Sequence, residues 1–115
     1  MIGTETIREI IATYEKHGWI LRRVLLSPEL KRQLGAELGT LFSDATLVDS
    51  DINGVWFSRQ SRQDSVAWEL RRLGPLPFAL VEVVDADILP EDLEDVLSET
   101  EERLRESGIK PRPPG

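Results

Sequence analysis

Thr46-Leu47-Val48-Asp49-Ser50-Asp51-Ile52-Asn53-Gly54-Val55-Trp56-Phe57-Ser58-Arg59-Gln60 is the stretch on which the fold turns. Its spacing has period two rather than the three-to-four of a helix, so it reads as strand on either side of Asn53-Gly54. Asn-Gly accepts the positive φ angles of a type I′ turn, and this predicts a hairpin joining 46–52 to 55–60. Beyond a polar turn at 61–64, residues 65–73 place Val66, Trp68 and Leu70 on one face. Gly74-Pro75-Leu76-Pro77 interrupts the pattern, because proline cannot donate to a strand ladder. Residues 78–85 form the next strand, with Ala79, Val81 and Val83 on one face and Phe78, Leu80 and Val84 on the other. Consecutive strands of this kind predict an antiparallel meander of three or four strands.

Helical signals lie on both sides of this region. Thr6 and Glu9 have capping-box spacing, and Ile7, Ile10, Ile11 and Tyr14 follow as one apolar stripe. Lys16 and His17 suit the last turn of that helix, and Gly18 is placed to end it. The run 19–26, Trp-Ile-Leu-Arg-Arg-Val-Leu-Leu, reads as a strand buried on both faces except around its arginines. Ser27 and Pro28 are placed as N-cap and first residue of a second helix, which carries Leu30, Leu34, Leu38 and Leu41 and ends near Gly39. Pro90 opens a third helix, with Leu93, Val96, Leu97, Thr100 and Leu104 as its packing stripe and Gly108 as its stop. The expected order is α-β-α-β-β-β-α. It describes a two-layer α+β domain over residues 1–108, helices packed on one sheet face, followed by a flexible proline-rich tail at 109–115.

At 115 residues the chain suits a single domain, and its 40% hydrophobic and 30% charged residues are a globular mixture. With no cysteine there is no disulfide, no thiol nucleophile and no thiolate metal site. The opening Met1-Ile2-Gly3-Thr4-Glu5 lacks the basic and apolar runs of a signal peptide, and no stretch has the length and apolarity of a membrane span, so cytoplasm is the expected compartment. The net charge of −7 is uneven: residues 82–108 carry −9, whereas 55–81 carry +2. An acidic chain of this kind weighs against nucleic acid as partner, and its acidic helix steers any self-contact toward the sheet.

Three constellations are candidates for function. Trp56, Arg59, Trp68, Arg71 and Arg72, with Arg62 nearby, combine aromatic plates with guanidinium groups. Such a face serves a protein interface, or a nucleotide or single strand through stacking and charge. Asp49-Ser50-Asp51-Ile52-Asn53-Gly54 matches the first half of a calcium loop, making Asp49, Asp51 and Asn53 weak calcium candidates. The twelfth position is Gln60 rather than the bidentate Glu that such a loop needs, and strands flank it instead of helices. The third constellation, the acidic residues of the last helix, is a solvated face whose first-turn carboxylates already suit the dipole.

No catalytic motif occurs: there is no nucleophile elbow, phosphate loop or dinucleotide fingerprint. The only histidine, His17, is accounted for by its place at a helix end, and acid pairs such as Asp49 with Asp51 or Asp85 with Asp87 arise readily in so acidic a chain. The expectation is a non-enzymatic protein-interaction or self-associating module without cofactor. Its partner would be another protein or a second copy, and ligand or calcium binding is the alternative.

Overall fold

The computed structural model describes residues 2–74 and 77–109. In chain order these form α1 (Thr4–Lys16), β1 (Ile20–Leu26), α2 (Pro28–Leu34), a 3₁₀ turn (Gly35–Glu37), α3 (Leu38–Leu41), β2 (Thr46–Asp49), β3 (Gly54–Arg62), β4 (Ser65–Arg72), β5 (Ala79–Asp85) and α4 (Pro90–Ile109). The α+β class of the sequence reading stands. Its layering does not, and of its strand pairing only the meander from β3 to β5 does.

The sheet has five strands in the order β2-β1-β3-β4-β5 and is mixed. β1 runs parallel to β2, with Val24 opposite Leu47, and antiparallel to β3, with Val24 opposite Val55. The expected hairpin across Asn53-Gly54 is therefore absent, because β1 lies between the two strands that it would join. Neither Asn53 nor Gly54 has a positive φ, so the type I′ turn is not made. Asn53 is instead a brace: its Oδ1 accepts from the Ser27 amide at 2.7 Å, and its carbonyl accepts from the Leu73 amide at 2.9 Å. Gly54 answers to close packing rather than to a turn. A Cβ there would lie 3.0 Å from Leu70 Cδ1 and 3.3 Å from the Arg71 carbonyl oxygen. Only β3, β4 and β5 form an antiparallel meander.

Helices cover both faces of the sheet, not one. On the first side, Ile7 and Ile11 of α1, Leu30 and Leu34 of α2 and the nearby Phe42 enclose Leu21, Val24, Leu26, Val55 and Phe57. On the second side, Leu97 and Leu104 of α4 close over Leu25, Trp56 and Leu70. Strand alternation divides β3 between the two cores: Val55 and Phe57 point one way, Trp56 the other. The apolar run of β1 has the same cause, since an interior strand with helices on both sides has no solvent face.

Local signals fare unevenly. Ser27 caps α2 as expected, its Oγ accepting from the Leu30 amide at 3.3 Å, with Pro28 next. That helix stops earlier than expected, at Gly35 with φ 51°, before the 3₁₀ turn. The Thr6–Glu9 capping box is not formed, because α1 starts at Thr4 after Gly3 and both residues lie inside the helix. Gly18, with φ 87°, does end the α1 segment. At the other end α4 includes Gly108 and Ile109, and residues 110–115 of the expected tail lie outside the described residues. Among the described residues no helix is long and apolar enough to cross a membrane.

Candidate functional site

The alternation that splits the core also divides the tryptophan–arginine set. Trp56 is fully buried beneath α4, and its Nε1 donates to Glu101 Oε2 of that helix at 2.8 Å. Trp68 shares its side of the sheet and meets it edge-on, ring centroids 6.1 Å apart at 76°. The Arg72 guanidinium lies on the same side, 5.7 Å from the Phe78 ring. Arg59 and Arg71 lie on the opposite side. Arg59 sits 4.7 Å over the Trp19 ring and donates from Nη1 to the His17 carbonyl at 2.7 Å. Arg71 donates to the Arg72 carbonyl. The two tryptophans thus share a face, as the spacing predicts, but α4 lies over it and the five residues do not form one surface.

α4 is laced onto this side by charge at three places. Arg23 binds Glu94, Arg103 binds Glu82, and Arg105 clasps Asp51 with both contacts at 2.8 Å. The Arg105 hydrogen bonds hold the Asp51 carboxyl below its ordinary range, and Arg23 does the same for Glu94. Exposed pairs of this kind contribute little to stability, and the hold of α4 on the sheet comes chiefly from its buried Leu97 and Leu104. Asp51 is one of the calcium candidates, and its oxygens are engaged with a cationic side chain. Asp49 likewise binds Lys31 Nζ at 2.6 Å, and Asn53 Oδ1 serves the Ser27 amide. The three oxygen donors face three different partners. Among the described residues no group of three His, Asp or Glu side chains is placed to hold a metal ion.

A β-bulge between Leu21 and Arg23 re-aims the arginines of β1. Arg22 Nε donates to the buried Ser58 Oγ at 2.8 Å. These two, with Trp68, Val84 and Leu93, line a groove of about 420 Å³ beside the start of α4. Here Trp68 reaches open space beside a guanidinium, although Arg22 is not one of the arginines that the sequence singles out.

Searches of family models, curated proteins and solved structures found nothing similar to this chain.

The outer half of the sheet on the α1 side is left uncovered by helix. β5 is an edge strand, and its residues on this side, Ala79, Val81 and Val83, are exposed, the two valines at 52% and 57%. A groove of about 530 Å³ separates them from the ring of Trp19, with Arg59, Ala67 and Glu69 between. β5 carries apolar residues on both faces, and the covered one also holds Glu82, so the sequence does not mark Val81 and Val83 as the open side. Leu80 and Val84 lie toward α4, half-buried.

The inner wall of this region is an aromatic stack ending in a phenol–carboxylate hydrogen bond. Tyr14 of α1 lies flat on Phe57, centroids 4.1 Å apart and planes 5° apart, and its hydroxyl donates to Glu69 of β4. Burial, and then the Glu69 carboxylate, push the Tyr14 phenol well above its usual range, with Arg71 opposing. A group whose folded pKa is raised favours its protonated form in the fold. Its contribution is complete below the ordinary phenol value of about 10 and is lost as pH rises beyond it. Tyr14→Phe is therefore expected to flatten the fall in stability above about pH 10, read from urea midpoints at a series of pH values. An alkaline fall as steep in the variant as in the parent would show that another group causes it.

Proposed function

We propose that this chain is a non-catalytic protein-interaction module that meets its partner through the outer half of the sheet, the β5 edge and the open face beside it. The observation that carries the proposal is the exposure of Ala79, Val81 and Val83 together, side by side along an edge strand. Edge strands in proteins that stay solitary are kept short, bulged or marked with lysine or proline, because their free backbone groups invite pairing. β2, at the opposite edge, has only four residues. β5 has seven, with no lysine, no proline and an unbroken register to β4. A strand docked there would complete the backbone pairing and cover the valines, which is the usual way a peptide or protein is added to a sheet.

If the valines serve a partner rather than the fold, they are spare to stability. The double variant Val81→Lys/Val83→Lys is expected to unfold within about 1 kcal/mol of the parent, the sum of two ordinary surface changes. The parent should bind an apolar dye such as anilinonaphthalene sulfonate in its folded state, and the variant should bind much less. A variant that loses several kcal/mol, or a monomeric parent that binds no dye, removes this surface from consideration.

A further inference from the structure

The hydrogen-bond parity of β5 defines what can pair with it. The Phe78 carbonyl accepts from the Arg72 amide at 2.8 Å, and the Ala86 amide donates to the Asp64 carbonyl at 2.8 Å. Even-numbered residues of β5 therefore turn their backbone groups inward to β4, and in an antiparallel ladder the odd-numbered ones turn theirs outward. Ala79, Val81 and Val83 thus present their N–H and C=O groups at the edge, whereas the Asp85 carbonyl already accepts from the Ile88 amide at 3.1 Å. Ala79, Val81 and Val83 also carry the exposed apolar side chains of the α1 side.

This pattern is self-complementary, and we infer that the partner is a second copy of the chain, its β5 running antiparallel to the first with Val81 on the two-fold axis. The inference rests on the interaction reading above and commits it to one occupant. A two-fold contact is isologous, so each strand must satisfy the other with the same residues. Outward parity leaves three central registers; the one about Val83 sets the apolar Val81 against Asp85, and two remain. In one, Val81 faces Val81 and Ala79 faces Val83, so that both apolar rows join on the α1 side. In the other, Val81 faces Val83, but Glu82 falls directly opposite Glu82 on the α4 side, and Ala79 meets Asp85. Like charges directly opposite destabilise a strand pair. The first register instead sets Glu82, already bound to Arg103, against Leu80. The two five-stranded sheets then continue into one another.

The axis lies perpendicular to the sheet, so both α4 helices come to the same side and flank it. Each belongs to the segment that carries −9. Their repulsion is long-range and screened, and so added salt should tighten this dimer rather than weaken it.

The chain has no cysteine, which makes single-cysteine cross-linking clean. The experiment is light scattering on the parent over a range of concentration and salt, with oxidative cross-linking of Val81→Cys and Glu82→Cys, each first shown to fold when reduced. Directly paired residues stand about 4.5–5.5 Å apart between Cα atoms, within disulfide reach, whereas diagonal ones at about 7–8 Å are beyond it. The expected result is a dimer favoured by salt, in which the Val81→Cys variant cross-links and the Glu82→Cys variant does not, and which Val81→Lys weakens about tenfold or more. Cross-linking of the Glu82→Cys variant alone overturns the register. A parent that remains monomeric at every concentration and salt overturns the second copy as partner. In that case dye binding abolished in the Val81→Lys/Val83→Lys variant leaves the interaction surface itself standing.

Discussion

Trp56→Ala is expected to destabilise the protein by about 3–5 kcal/mol, the range for removing a large aromatic from a core. The ring is fully buried in β3, meets Trp68 edge-on and lies in the cluster formed with Leu97 and Leu104 of α4. Truncation leaves a cavity that these side chains cannot fill, and it strips the Glu101 carboxylate of its indole donor. Trp56→Phe should cost clearly less, because most of the volume stays and half-buried Glu101 can turn to water. Denaturant unfolding gives the magnitude, and amide exchange gives the place: the α4 amides should lose protection first, since α4 is the layer that Trp56 supports. Were this side of the sheet open, as the sequence suggests, Trp56 would be a surface residue and its removal would stay within about 0.5 kcal/mol. That result would detach α4 from the sheet.

The contrast shows which parts of this fold are written locally. α1 was legible because Ile7 and Ile11 recur at helical spacing and Gly18 can take a positive φ. The Ser27-Pro28 start of α2 was legible because cap and proline act within four residues of each other. Asn53-Gly54 misled for the complementary reason. The dipeptide permits a tight hairpin turn but does not require one, and Asn serves equally well as a side-chain brace between strand ends. Whether 46–49 pairs with 54–62 or with 20–26 depends on contacts far apart in sequence, which local propensity does not encode. One clue was available: the run from Ile20 to Leu26 is apolar toward both faces, which suits an interior strand with helices above and below. Carried through, it would have placed β1 in the middle and α4 on the far side.

The candidate site was legible only in its ingredients. Trp56 and Trp68 do share a face, as alternation requires, yet alternation is silent about which face a helix will cover. Arg59 and Arg71 have the opposite parity from Arg72, and on that ground they could have been assigned to the other side from the sequence alone. The sequence places Val81 and Val83 on one face and Leu80 and Val84 on the other, and only tertiary packing distinguishes the covered pair from the exposed one. A strand apolar on both faces at the edge of a sheet is the pattern to look for.

Phe57→Ala tests the opposite layer from the adjacent position, and its expected cost is again about 3–5 kcal/mol. Phe57 is fully buried and lies flat against Tyr14 of α1, within the cluster that includes Ile7 and Ile11. Emptying that space should free Tyr14 from the stack and weaken the hold of Glu69 on its hydroxyl. Exchange should therefore quicken first in α1 rather than α4, and the alkaline fall in stability attributed to Tyr14 should diminish, because a more solvated phenol loses the burial that raises its pKa. Consecutive residues of one strand would then report separately on the two helical layers. Only a sheet enclosed on both sides makes both substitutions severe, since a strand with a single covered face alternates between costly and tolerant positions. If Phe57→Ala releases α4 first, or costs less than about 1 kcal/mol, the assignment of β3 side chains to two separate cores fails.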